Sequence, residues 1–239
     1  MNLFDDILKD VFRQCNAILP VDDARQPIPT KAWNDVGKHH MILGKETAYE
    51  LGGSGTFGLS GCLCTTQPLP FSEGVYLYGK DLKDIHKDQS YARIVLIELE
   101  EKADKDALYR KLREIDYVRY HIHPEGYMAR ISPIIQREPV RISKAALKKH
   151  MTFADIGQMY LERYQRILQV KCVNVIFVTD LAFDYASLEK NLHKAEQITQ
   201  SLDHIFTSLD MDCGTCNLKA VCDEIDGLRQ LHFDRNNNA

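Results

Sequence analysis

Apolar residues recur every three or four positions at the start of the chain, where Phe4, Ile7, Leu8, Val11, Phe12, Cys15, Ile18 and Leu19 fall on one face. That spacing predicts an amphipathic helix over residues 3–19, whose apolar stripe must be covered by another element. Pro20, Pro27 and Pro29 end it and make an extended connector leading to the only tryptophan, Trp33. Beyond the connector the period changes. Short runs rich in β-branched and aromatic residues predict strands at 74–78, 91–99, 117–123, 127–131 and 172–178. Helical spacing returns at 103–115 through Ala107, Leu108, Leu112 and Ile115, and at 152–169 with Thr152 as N-cap. It recurs at 184–207 through Leu188, Leu192, Ala195, Ile198, Leu202 and Ile205. Some strands follow one another directly and others are separated by helices. This order predicts an α+β fold, a mixed β-sheet packed with helices, in preference to a doubly wound one. Three segments result: an N-terminal helix and Pro-rich connector (1–40), an α+β domain (41–208) and a short, helical, cysteine-rich tail (209–239).

Composition narrows the class. With 239 residues, 44% of them hydrophobic and 27% charged, the chain can bury a sizeable core as a soluble protein. A net charge of −4 without a long basic run argues against nucleic acid as a partner. Asp5 and Asp6 stand where a signal peptide carries positive charge, and no run is apolar and long enough for a membrane span. Seven cysteines without an export signal point to a reducing cytoplasm, where thiols are available to metals.

Three of those thiols, Cys213, Cys216 and Cys222, lie within ten residues in Cys-Gly-Thr-Cys-Asn-Leu-Lys-Ala-Val-Cys. A C-x2-C pair with an internal glycine lets two thiolates converge on one ion, and a third can reach it from a following helical turn. The stretch lacks a fourth ligand. Cys62 or Cys64 could supply it for an iron–sulfur cluster, or His232 for a structural Cys3His zinc site, although the interval from Cys222 to His232 exceeds that of a usual finger. The pair Cys62-Leu63-Cys64 by itself could suit nickel or copper, or simply be two small residues packed on a strand.

Two further motifs are local. Gly52-Gly-Ser-Gly-Thr-Phe-Gly58 contains a formal G-x-G-x-x-G, but the following Leu59-Ser-Gly-Cys-Leu-Cys-Thr-Thr reads as loop or strand, not as the helix a dinucleotide site needs. The glycines are then expected to serve positive-φ turns. Arg137, Arg141, Lys144, Lys148 and Lys149 form a basic stretch beside a helix start at Ser143. They make either a seat for a phosphorylated ligand such as coenzyme A or a solvated helix face. His121 and His123 would share one face of the strand expected at 117–123.

Five segments in order, Glu50-Leu-Gly-Gly, Val75-Tyr-Leu-Tyr-Gly-Lys-Asp-Leu, Val140-Arg-Ile-Ser-Lys-Ala-Ala, Phe153-Ala-Asp-Ile-Gly and Val173-Asn-Val-Ile-Phe-Val-Thr-Asp, resemble the central domain of acetyl-CoA synthase. That enzyme is the β subunit of the archaeal acetyl-CoA decarbonylase/synthase, the partner of carbon monoxide dehydrogenase. The resemblance spans about residues 45–207. It implies coenzyme A handling and docking to other subunits of such a system. It does not imply nickel chemistry at an A-cluster: Cys213-Gly-Thr-Cys216 looks like the family's first cluster pair, but the next cysteine comes too soon and no later Cys-Gly-Cys follows. Two roles are open to a chain of this kind. One is an accessory or partner protein in one-carbon and acetyl-CoA metabolism with a metal or cluster on the cysteine trio. The other is a split subunit with CO-methylating acetyl-CoA synthase activity that takes its nickel from a partner.

Overall fold

The longest apolar runs form the centre of the fold. Tyr91–Leu99 (β4) and Val170–Val178 (β7) pair antiparallel, and each then takes a parallel neighbour, Gly58–Thr65 (β2) beside β4 and Gly74–Tyr78 (β3) beside β7. The result is a mixed four-stranded sheet in the order β2-β4-β7-β3. Both central strands are buried on both faces, which explains their near-continuous hydrophobic sequence. A second, antiparallel sheet has the order β1-β6-β5, from Thr47–Leu51 (β1), Val140–Ser143 (β6) and Tyr127–Ala129 (β5). This computed structural model describes residues 3–18, 27–69, 71–100, 105–130, 137–207, 215–225, 227–228 and 230–231.

Helices cover the larger sheet on both sides. Phe153–Gln165 (α4) starts with a capping box between Thr152 and Asp155 and lies on β3 and β7. Gly157 permits the close approach, because a Cβ there would run into Val75 and Phe177. Tyr185–Thr207 (α5) covers the opposite face, with Leu192 against Gly61 of β2. Asp5–Ile18 (α1) packs on α5 and buries Phe4, Ile7, Leu8, Val11 and Cys15, so its apolar stripe is satisfied within the chain. The hydrophobic core is continuous from Leu3 to Leu228. The α+β class with a mixed sheet and an N-terminal helix is therefore the observed one.

One expected strand is absent. Lys105–Tyr120 (α2) continues through most of the 117–123 segment because Leu112, Ile115 and Val118 extend the buried helical stripe while Tyr117 points outward. His121 then stacks on Tyr117 at a ring separation of 3.6 Å and donates from Nδ1 to the Tyr117 carbonyl. The two histidines share no strand face. The glycine-rich loop joins β1 to β2: Gly52 has φ +71°, and any Cβ on it would collide with Gly58. A short helix, Lys144–Lys148 (α3), is capped by the Ser143 side chain. Lys219–Glu224 (α6) packs on α5. Among the described residues no helix is long and apolar enough to cross a membrane.

Candidate functional site

The smaller sheet, the end of α2 and the connector enclose a pocket of about 280 Å³. Its floor is Tyr127 of β5 and Tyr160 of α4. Its walls carry Lys38 and His40 from the connector, His123 from the turn after α2, and Arg130 and Arg141 beside and within the smaller sheet; Arg119, at the end of α2, also lines it but turns its guanidinium to Ser60 and Glu196. Among the described residues that line it none is acidic. The connector is held on either side of its turn at 37–40: the Val36 N–H donates to the His123 carbonyl, and Arg141 donates to the Ile42 carbonyl. Lys38 and His40 are thereby carried over the pocket.

Glu50 of β1 organises two of the cations from outside. Its carboxylate accepts from Arg130 and Arg141, each at 2.7 Å, and so holds both guanidinium planes against the pocket wall. The Arg130 Nε remains without a partner among the described residues. One carboxylate against two guanidinium groups leaves the wall positive. Burial lowers the pKa of His123 from 6.5, opposed by Asp35, while His121 and Lys38 push it further down.

A dry charged network lies beneath the floor. Arg93 of β4, 1% exposed, contacts Glu138 at 2.7 Å and donates to Tyr160 Oη and, at 3.2 Å, to Ser60 Oγ. The ion-pair contact is off the line of a hydrogen bond, so both Glu138 oxygens lack a hydrogen-bonded donor among the described residues. Burial opposes the Arg93 charge, but Glu138 and the surrounding tyrosines raise its pKa well above the ordinary value. Tyr127 shares a short hydrogen bond with Tyr91, and its phenol is pushed up to about 12, chiefly by burial. The floor of the pocket is therefore neutral phenol over a fixed guanidinium, a surface that can donate hydrogen bonds to an anion and stack against a ring.

Of the basic stretch, only Arg141 reaches the pocket. Lys149 pairs with Glu125, Lys144 donates to the Lys45 carbonyl, Lys148 is exposed on α3, and Arg137 lies outside the lining. Lys38, His40, Arg119 and Arg130 were not singled out in sequence because they come from separate segments. Arg93 did leave a signal, as the one cation inside the apolar run of β4. A larger hollow of about 340 Å³ beside α5 mixes Glu189 and Glu196 with Lys190 and His193, so it favours no one ligand charge.

The cysteines considered as metal ligands fall in two places. Cys62 and Cys64 lie on β2, on the face alternate to Gly61 and its neighbour Leu192. Cys216 precedes α6 and Cys222 lies within it, while Cys213 and His232 fall outside the described residues. Among the described residues no three His, Cys, Asp or Glu side chains are gathered as a metal site. No family model matches the chain, and no curated protein matches it.

Proposed function

We propose that this chain is a stand-alone relative of the acetyl-CoA synthase β subunit, working in the cytoplasm as an accessory or partner protein in one-carbon and acetyl-CoA metabolism. Its ligand is of the coenzyme A class. The observation that carries this reading is the pocket itself, where Lys38, Arg130 and Arg141 converge from three segments on a tyrosine floor, with no acidic side chain among the described lining residues. Phosphate groups suit the arginines and Lys38, since guanidinium groups bind phosphate oxygens in pairs. The adenine ring and the apolar arm suit the tyrosines and Met128. Glu50, from the first segment of the resemblance, orients the two arginines.

Calorimetric titration of the full chain with coenzyme A tests it. Binding is expected to weaken roughly 10-fold or more in Arg141→Ala or Lys38→Ala, the scale of one lost charge-assisted hydrogen bond. A chain that takes up no coenzyme A sinks the reading. In the same role, Cys213, Cys216 and Cys222 would carry an iron–sulfur cluster or zinc. Elemental analysis of protein purified without oxygen should find iron with sulfide, or zinc, and metal-free protein would remove the tail from the proposal.

A further inference from the structure

Six large apolar side chains are exposed among the described residues, and three of them, Val36, Met41 and Leu43, lie within one short stretch of chain. Single exposed apolar residues are ordinary, whereas a group of them at the mouth of one pocket points to something that covers them. Their exposure follows from the way this stretch is pinned. Ile42 is 2% exposed; its N–H donates to Met128 Sδ at 3.2 Å and its carbonyl accepts from Arg141 at 3.2 Å. The backbone is extended at Leu43, whose N–H donates to the Glu46 carboxylate and whose carbonyl accepts from the Glu46 and Thr47 N–H groups. Side chains alternate along an extended segment, so with Ile42 turned in, Met41 and Leu43 are turned out, 67% and 49% exposed. Val36 and Met41 also line the cationic pocket, together with Ile122 and Met128. An apolar strip therefore leads from Met128 inside the pocket over Met41 to Leu43 outside it.

We infer that the pocket takes coenzyme A in its acylated form, with an acyl chain of about six carbons lying along Met41 and Leu43. The inference rests on the reading of the pocket as a coenzyme A site. In that reading the phosphates face Lys38, Arg130 and Arg141, and the apolar arm, which ends in the thiol, runs over Met128. The free thiol form leaves Met41 and Leu43 in water. A thioester carries an alkyl chain onto them and adds no charge that the pocket would have to neutralise. Two residues of extended backbone span about 7 Å, which a zigzag of about five C–C bonds of about 1.5 Å covers, so a longer chain runs past Leu43 into solvent.

Calorimetric titration of the full chain with coenzyme A and its acetyl, butyryl, hexanoyl and decanoyl thioesters reads the slope of affinity against chain length. Affinity should rise roughly 3-fold per added methylene as far as hexanoyl, the scale of burying one methylene, and level off beyond it. Met41→Ser and Leu43→Ser, both at exposed positions, should each lower that slope. Equal affinity for coenzyme A and all its thioesters would overturn the inference and leave the reading of the pocket in place. A rise that is the same in both serine variants would overturn it too, because the chain would then lie elsewhere. Uptake of none of these compounds would sink the pocket reading and the inference together.

Discussion

Two arginine–glutamate clusters stand one behind the other in this protein, and their difference in wetness separates a structural role from a binding one. In the inner cluster, the Arg93 and Glu138 side chains are 1% and 3% exposed. In the outer one, Arg130, Arg141 and Glu50 are 39%, 27% and 22% exposed. The contact distances are the same, 2.7 Å. The inner pair cannot exchange its partner for water or ligand, so it can only hold β4, α4 and the segment before β6 together. The outer pair keeps solvent access, so its arginines can turn part of their hydrogen-bonding capacity to a ligand.

The sharpest way to break the comparison is to neutralise each glutamate. Glu138→Gln leaves the Arg93 charge buried without a counter-charge, which costs about 3–5 kcal/mol, whereas Glu50→Gln costs under about 1 kcal/mol at a half-wet site. Urea unfolding measures both. Equal losses would mean that burial does not distinguish the two clusters. The double change Arg93→Met with Glu138→Leu removes both charges, so it should recover most of what Glu138→Gln loses, as replacement of a buried pair by apolar groups usually does. A double variant as unstable as the single one would show that the hydrogen bonds of Arg93 to Tyr160 and Ser60, and not the charge pair, hold this region.

The inner region was partly legible in the sequence and the outer one hardly at all. β3, β4 and β7 announce themselves as short runs rich in β-branched and aromatic residues because most of their positions are buried, and Arg93 stands out inside one of them. The edge strand β2 does not, since two glycines, a serine and a threonine break its pattern. The segment 117–123 alternates like a strand, yet the stripe of Leu112, Ile115 and Val118 prolongs α2 through Tyr120. Clustering along the chain also misled for the basic stretch. Of that stretch only Arg141 lines the pocket, while Lys38 and Arg130, which line it too, come from other segments and meet it only where the connector crosses the smaller sheet.

The outer cluster makes an intermediate prediction. Glu50→Gln removes the one carboxylate shared by Arg130 and Arg141 and raises the positive potential of the wall, so coenzyme A should bind more tightly, and most clearly at low ionic strength. Weaker binding would show that orienting the guanidinium groups matters more than their net charge.

The smallest expected effect concerns pH. Burial lowers the pKa of His123 below 6.5, with Asp35 opposing and His121 and Lys38 reinforcing the shift. A depressed histidine contributes stability that is present above its unfolded value and lost as pH falls through the folded one, because the folded chain resists taking the proton. An anion in the pocket reverses that preference: it favours the imidazolium, raises the histidine pKa and so takes up a proton on binding. Affinity for coenzyme A should therefore rise a few-fold as pH drops through the range below 6.5, and His123→Gln should flatten the rise. His40 lines the same pocket, so the readout is the difference between the two pH profiles. Coincident profiles would place the bound anion against Arg130 and Arg141, away from the end of α2.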